Sequence, residues 1–317
     1  MRFDSFGGDV DGLERFIATE WAEHYKTEQH FAYPAAWLAA FLGEHGNDPE
    51  LVVECRDDEG VLAGFAAAVP RRAHIEGREV RLALLLLLTA GRRPSRSVPA
   101  LGLLREVFRR APTRGIDAIY YFTVGSQRVH ELVGRAAAIE NLATIELAPV
   151  GSLMAIARAA PEPTPNVRRL ATGELSRAIE LLDGVARALP IGRLLSTEAL
   201  AASKALAVWR GDRPTAVCVY APRQMVGTSM TDVCNVDFLV GPDATPPEAA
   251  ELGRALAAEA AAAGAQVVVA PARGEQLFPH NRHAGFRKGG RTLRTFVVPI
   301  SPASIVAAGA AHFLEVE

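Results

Sequence analysis

Val80-Arg81-Leu82-Ala83-Leu84-Leu85-Leu86-Leu87-Leu88-Thr89-Ala90 is the most leucine-rich stretch of the chain, and it empties into Gly91-Arg92-Arg93-Pro94-Ser95-Arg96-Ser97-Val98-Pro99. A short apolar run bounded by turn residues reads as a strand. A helix-spaced segment, Leu103 to Arg110, and a second apolar run, Ile116 to Val124, come next. Strand, cationic loop, helix N-terminus and strand in this order make a place for a phosphorylated ligand. Free main-chain N–H groups and the positive end of the helix dipole both favour an anion there.

Working outward, Leu51 to Cys55 and Val61 to Val69 flank the polar stretch Arg56-Asp57-Asp58-Glu59-Gly60, which reads as a hairpin turn. With the run at Val80, which follows Glu76-Gly77-Arg78, they predict a three-strand meander. Upstream, Leu13 to Tyr25 and Ala35 to Leu42 carry helix-spaced apolar residues, among them Phe16, Trp21 and Trp37. Downstream, Ala159-Ala160-Pro161-Glu162-Pro163-Thr164-Pro165 alternates proline in a way that suits a linker.

Beyond that linker the order recurs. Asn166 to Ala171 reads as a short strand and Glu174 to Ala188 as a helix, and Lys204 to Val208 and Thr215 to Tyr220 form a hairpin. Asp232 to Val240 is a strand, Pro247 to Ala263 an alanine-rich helix stopped by Gly264, and Ala265 to Ala270 a strand. Strand starts at 51, 61, 80 and 116 thus reappear at 204, 215, 232 and 265, a nearly constant displacement that implies two copies of one fold. The expected domains are 1–158 and 166–317, with 159–165 between them.

A chain of 317 residues exceeds the usual span of one hydrophobic core, in agreement with two domains. Apolar residues make up 49% and charged residues 22%, an ordinary soluble composition. Thirty-four Lys and Arg against thirty-six Asp and Glu leave a net charge of -2, so nothing in the overall field points to nucleic acid, and an anion site must be local. Cys55, Cys218 and Cys234 are widely spaced in apolar runs and read as buried thiols in a reducing compartment rather than disulfides or metal ligands. The start of the chain lacks the apolar core of a signal peptide, and Leu82 to Ala90 is too short to cross a bilayer, so the expected setting is cytoplasmic, without membrane contact. The motifs GxxxxGK[ST], HExxH and GxSxG are absent from the sequence.

On this element order the chain resembles the Gcn5-related N-acetyltransferase (GNAT) superfamily, in particular its tandem members. The resemblance covers nearly the whole chain, one copy per half. It implies an α/β fold in which each domain is a mostly antiparallel mixed sheet flanked by helices. Two motifs carry it besides the order. The first is the pyrophosphate loop, roughly R-G-x-G-x-G in the family, which here corresponds to Arg96-Ser97-Val98-Pro99-Ala100-Leu101, with Ser97, Pro99 and Leu101 in place of the glycines. Pro99 has no N–H to give a phosphate, and Arg92, Arg93 and Arg96 can compensate with charge-assisted bonds. The second is the late Gly-Phe pair of Asn281-Arg282-His283-Ala284-Gly285-Phe286-Arg287, a structural element.

The resemblance implies acetyl-coenzyme A or a longer acyl-coenzyme A as co-substrate, no metal, and a small-molecule or peptide amine as acceptor; a homodimer stays open. In the family the fourth and fifth strands splay, the pantetheine arm inserts between them, and a backbone N–H polarises the thioester, so positioning carries most of the catalysis. Leu88, Thr89 and Ala90 would then bond pantetheine, and Arg92, Arg93, Arg96, Ser97, Val98 and Ala100 would surround the phosphates. The second copy offers only Gly241-Pro242-Asp243-Ala244-Thr245-Pro246-Pro247 at the matching loop, a poor phosphate cradle. The donor is therefore expected in the N-terminal copy, with the C-terminal copy degenerate and shaping the acceptor side.

For proton transfer the sequence offers several candidates. The acid that the family often places on the fourth strand is missing from Leu82 to Leu88. His130 and Glu131 stand near the position of the family's tyrosine acid, and one of Tyr120 and Tyr121 must face the cleft because side chains alternate along a strand. Asp232 and Asp237 lie on the matching strand of the second copy, where burial would push an aspartate toward base duty. His280 and His283 lack a third ligand at familiar spacing. Thirteen Phe, three Trp and five Tyr suggest no large aromatic cluster, and the leucine run suits either a long acyl chain or a plain core. The rival readings are a degenerate, non-catalytic ligand- or partner-binding module and an acyl-coenzyme A decarboxylase on the same fold, which would use a histidine such as His130 or His280.

Overall fold

The computed structural model describes residues 1–26, 29–43, 47–91, 97–124, 127–159, 164–273 and 277–314. They divide into two compact units, Met1–Ala148 with Arg294–Ala310, and Pro149–Leu293 with Ala311–Glu317. This division departs from the expected boundaries at 158 and 166, and residues 160–163 of the proline-rich stretch lie outside the described residues.

The first unit contains β1 (Arg2–Ser5), α1 (Val10–Tyr25), β2 (His30–Phe31), α2 (Ala35–Leu42), β3 (Val52–Arg56), β4 (Leu62–Ile75), β5 (Arg78–Ala90), α3 (Ser97–Arg110), β6 (Ala118–Val124), α4 (Gln127–Ile139) and β7 (Ile145–Glu146). β3, β4 and β5 form the expected antiparallel meander. Its first turn is closed by Asp57, whose Oδ1 accepts from the backbone N–H of Glu59 at 2.8 Å and of Val61 at 3.0 Å. Leu103, Leu104, Val107 and Phe108 recur at helical spacing on α3 and are buried against Ala83, Leu85, Ile119 and Tyr121. α3 begins at Ser97, ahead of the expected Leu103, because proline is tolerated in a first turn whose N–H groups have no helical partner. Gly64 of β4 lets this helix approach: a Cβ there would stand 2.8 Å from Leu103 Cδ1.

The second unit repeats the pattern with β8 (Val150–Ile156), β9 (Val167–Arg169), α5 (Leu175–Arg187), β10 (Ile191–Arg193), α6 (Thr197–Ala202), β11 (Lys204–Arg210), β12 (Arg213–Val226), β13 (Met230–Val240), α7 (Pro246–Ala262), β14 (Val267–Ala272), the start of β15 (Arg287–Pro299), whose residues from Arg294 on belong to the first unit, and β16 (His312–Phe313). β11, β12 and β13 are again an antiparallel meander, and β14 follows α7 and lies parallel to β13. α7 opens on a reciprocal cap between Thr245 and Glu248, which satisfies free N–H groups of its first turn.

The strand that closes each unit comes from the end of the other repeat. β8 follows the first copy in the chain but pairs with β14, from Val267↔Ile156 to Ala272↔Gly151. The end of β15 follows the second copy but pairs with β7, through Phe296↔Glu146 and Val297↔Ile145. This exchange is why the units are not consecutive halves of the sequence. Pairing is set by unsatisfied strand edges rather than by nearness along the chain.

Candidate functional site

In the first unit, parallel pairing of β5 with β6 is confined to Leu82↔Ala118, Ala83↔Ile119 and Leu84↔Tyr120. β5 runs on to Ala90 and β6 to Val124, so beyond Leu84 the strands part and β5 keeps a ladder only with β4. At the same place the β4–β5 register slips, from Ala67↔Leu86 to Phe65↔Thr89, which leaves Leu87 and Leu88 opposite the single residue Ala66. Such a bulge bends the strand and turns its main-chain groups out of the ladder.

Leu87 at this bulge has φ 57°. The left-handed region costs a residue with a Cβ about 1–2 kcal/mol, so the surroundings must hold it there. The Thr89 hydroxyl does so by donating to the Leu87 carbonyl at 3.0 Å while accepting from Trp21 Nε1 at 2.9 Å. Trp21 belongs to an aromatic assembly. Its ring lies 5.3 Å from Tyr25, 5.7 Å from His30 and 5.2 Å from Tyr33. Tyr33 leads on to Trp37 at 4.9 Å, and Trp37 to Phe41 at 4.6 Å. The expectation of no aromatic cluster is therefore corrected: α1, β2 and α2 fold the rings between Trp21 and Phe41 onto one another, partly through i,i+4 pairs.

Leu88, Thr89 and Ala90 all lie on the part of β5 that has left β6. Arg92, Arg93 and Arg96 lie outside the described residues. Ser97, Val98 and Ala100 stand in the first turn of α3, which carries no acidic residue. Ser97, Val98 and Ala100 each bring a backbone N–H of the kind that helix starts leave free, and Pro99 brings none.

The two tyrosines separate as strand alternation requires. Tyr120 is fully buried, and Tyr121 faces α4, where its hydroxyl lies 2.9 Å from His130 Nδ1. Burial pushes the Tyr121 phenol well above its ordinary value. It stays protonated at neutral pH, so in the tautomer with the imidazole proton on Nε2 the phenol donates to Nδ1. Phe296 stacks on both rings, 5.1 Å from Tyr121 and 4.1 Å from His130. A bidentate Arg294–Glu146 pair at 2.7 Å borders the group, and the Arg294 guanidinium holds the Glu146 carboxyl below the usual carboxylate range. The structure thus joins two of the three proposed catalytic side chains, while Glu131 is exposed.

Asp237 belongs to the second unit, at the equivalent bulge. β13 pairs with β14 only from Val233↔Val267 to Asn235↔Val269, and the β12–β13 register slips at Asp237, between Tyr220↔Val236 and Val219↔Phe238. Its carboxylate accepts from Asn235 Nδ2 at 2.8 Å. Arg273, just past the end of β14, donates to the Asp237 carbonyl at 2.6 Å and to the Leu314 carbonyl at 2.5 Å. Its guanidinium also covers the rings of Phe238 and Phe313, at 5.2 and 5.3 Å. The second splay is therefore spanned by protein. Asp232 is exposed and accepts from Gln224. A charged residue directly after a parallel strand was the one sequence signal for Arg273.

Of the remaining candidates, His280 and His283 meet edge to face at 5.4 Å, and no cluster of three potential metal ligands occurs among the described residues. Gly285 takes φ 85° and Phe286 is buried, so this pair serves the fold as its motif implied. The three cysteines are free and buried, and burial pushes the Cys234 thiol up to about 12. No helix among the described residues is long and apolar enough to cross a membrane.

No family model and no curated protein matches this sequence. Among solved structures, that of Saccharomyces cerevisiae N-myristoyltransferase with bound myristoyl-CoA is similar, with a TM-score of 0.73 and 12% identity over 94% of this chain and 78% of that one. A second structure of the yeast enzyme, with bound myristoyl-CoA and inhibitors, gives 0.73 at 13% identity, covering 94% of this chain and 80% of that one. A GCN5-related N-acetyltransferase from Anabaena variabilis gives 0.58 at 10% identity, covering 95% of this chain and 73% of that one. Together with the repeated meander, bulge and splay, these likenesses establish the fold: the chain has the GNAT fold, in two copies.

Proposed function

We propose that the protein is an acyl-coenzyme A dependent N-acyltransferase that binds its donor in the first unit. The observation that carries this reading is the parting of β5 and β6 after Leu84↔Tyr120, at a bulge held by Thr89 and Trp21 and followed by the arginine-rich loop and α3. An extended pantetheine arm fits there as a pseudo-strand along Leu88–Ala90. The diphosphate then meets Arg92, Arg93, Arg96 and the first-turn amides of α3 at Ser97, Val98 and Ala100. The Arg273 bridge in the second unit supports assigning the donor to the first copy and leaving the second to shape the acceptor side.

The acceptor amine of a small molecule or peptide attacks the thioester carbonyl directly. Its nitrogen forms the amide bond as the carbon–sulfur bond breaks, its extra proton leaves to a base or water, and coenzyme A departs as the thiolate. Tyr121 with His130 is the group we assign to protonating that sulfur. For this step the phenol turns its hydrogen to the sulfur, and His130, having taken up the proton released by the amine, returns one from Nδ1 to the phenolate oxygen. Three free buried cysteines suit a cytoplasmic setting.

The test is product mass after incubation with acetyl- and longer acyl-coenzyme A, with and without an amine mixture. Amide product and free thiol together support transfer. Thioester consumed without amide supports decarboxylation or hydrolysis, and no consumption with any donor supports a binding module.

A further inference from the structure

A groove of about 1130 Å³ in the second unit runs between α7, the end of β8, β14 and the turn that leads into β15. Arg158, Arg254, Arg273, Arg282, Arg287 and Lys288 all line it, and among the described residues no Asp or Glu does, Glu275 lying outside them. The sequence from Leu277 to Leu314 contains no acidic residue at all, in a chain whose net charge is -2. Elsewhere on the same unit the arginines are neutralised: Arg168 pairs with Glu174, Arg169 with Glu259, Arg210 with Glu248 and Arg213 with Asp243. In the groove, Arg158, Arg254, Arg282, Arg287 and Lys288 make no ion pair among the described residues, and Arg254 Nε is buried without a hydrogen-bond partner. Unpaired cations gathered from four separate elements raise the local potential and await an anion.

We propose that this groove binds an acidic peptide segment in extended conformation. β15 meets β8 only as far as Arg287↔Met154, while β8 continues to Ile156, so Ala155 and Ile156 have β14 on one side and an open edge on the other. Ile156 lies there 75% exposed, and Met154, two residues back on the same face and 41% exposed, extends an apolar strip beside the cations. An added strand can bond the open edge through its main chain, with carboxylates on one face and apolar side chains on the other. A nucleotide fits less well, because Phe278 and Phe286, the phenyl rings of the groove, are buried and offer no face to a base. The proposal goes beyond the transferase reading and stands apart from it, because the peptide is bound without any donor.

The test is fluorescence anisotropy of a labelled peptide alternating Glu and Val, titrated with the full-length protein at low and high salt. Saturable, salt-sensitive binding is expected, with the matching Lys and Val peptide inert. Arg287→Glu with Lys288→Glu, both exposed, should weaken binding roughly tenfold or more. Arg177→Glu with Arg213→Glu, away from the groove and equal in charge change, should leave it unaltered, with circular dichroism confirming that both variants fold. Equal loss in the two double variants, absence of saturation, or displacement of the peptide by ADP at lower concentration than by unlabelled peptide would overturn the proposal.

Discussion

Tyr121→Phe separates chemistry from packing within the proposed proton path. The variant keeps a ring that stacks on Phe296 at 5.1 Å and fills a site only 2% exposed, so no cavity larger than one oxygen is made. What disappears is the 2.9 Å bond to His130 Nδ1. His130 is half-buried, so water can replace the lost partner, and stability should fall by only about 0.5–1.5 kcal/mol. If the phenol protonates the departing sulfur, kcat should fall roughly 10²–10⁴-fold, equivalent to about 3–5 kcal/mol of barrier. The donor's affinity should stay as it was, because the phenol is not assigned to hold the pantetheine. Urea denaturation gives the first quantity and steady-state turnover with saturating donor the second. A Tyr121→Phe protein with unchanged kcat and a stability loss near 1 kcal/mol would refute the proton role and leave the pair as packing.

Thr89→Val keeps the shape but removes the hydroxyl between Trp21 and Leu87; stability should drop by about 1–3 kcal/mol through the unsatisfied indole N–H, and calorimetry should show weaker donor binding. Arg273→Ala strips two carbonyls of a charged donor and should cost roughly 3 kcal/mol in denaturant titration while leaving donor affinity intact. Gly253→Ala places a Cβ 2.0 Å from the Ala284 carbonyl oxygen, a backbone clash that should lower stability by about 1–3 kcal/mol in the same assay. Burial raises the folded-state value of both Tyr121 and Tyr220 above that of an exposed phenol. Their contribution is fully present below pH about 10 and is lost as pH rises, because the unfolded chain ionises first. Unfolding free energy measured from pH 8 upward should therefore fall on the alkaline side, and less so in a Tyr121→Phe, Tyr220→Phe variant.

The meanders and the parallel strands that follow them were legible in the sequence because each depends on local signals: apolar runs, turn residues and a repeat spacing. The leucines of β5 announced a buried strand, but their pattern did not mark Leu87 as the bulge, since its φ of 57° is held by the Thr89 hydroxyl, which Trp21 of α1 fixes from a distant part of the chain. The exchanged strands β8 and β15 were not legible, because a strand's pattern identifies its buried face and not its neighbour. Tyr121 and His130 could be nominated by strand alternation and by their place after β6, whereas their contact required the geometry of α4. The Arg282 to Arg287 segment was read for its Gly285-Phe286 pair, and the basic groove escaped notice because α7 and β8 contribute to it from distant parts of the chain.

The central claim is that the donor's extended arm lies against the free edge of β5 in the first unit. A crystal structure of the protein with a non-hydrolysable acyl-coenzyme A analogue tests it most directly. The account predicts pantetheine bonded to the main chain of Leu88–Ala90, with the diphosphate at the N-terminus of α3. A coenzyme bound instead between β13 and β14 with Arg273 displaced, or a first-unit splay left closed at saturating ligand, would contradict it.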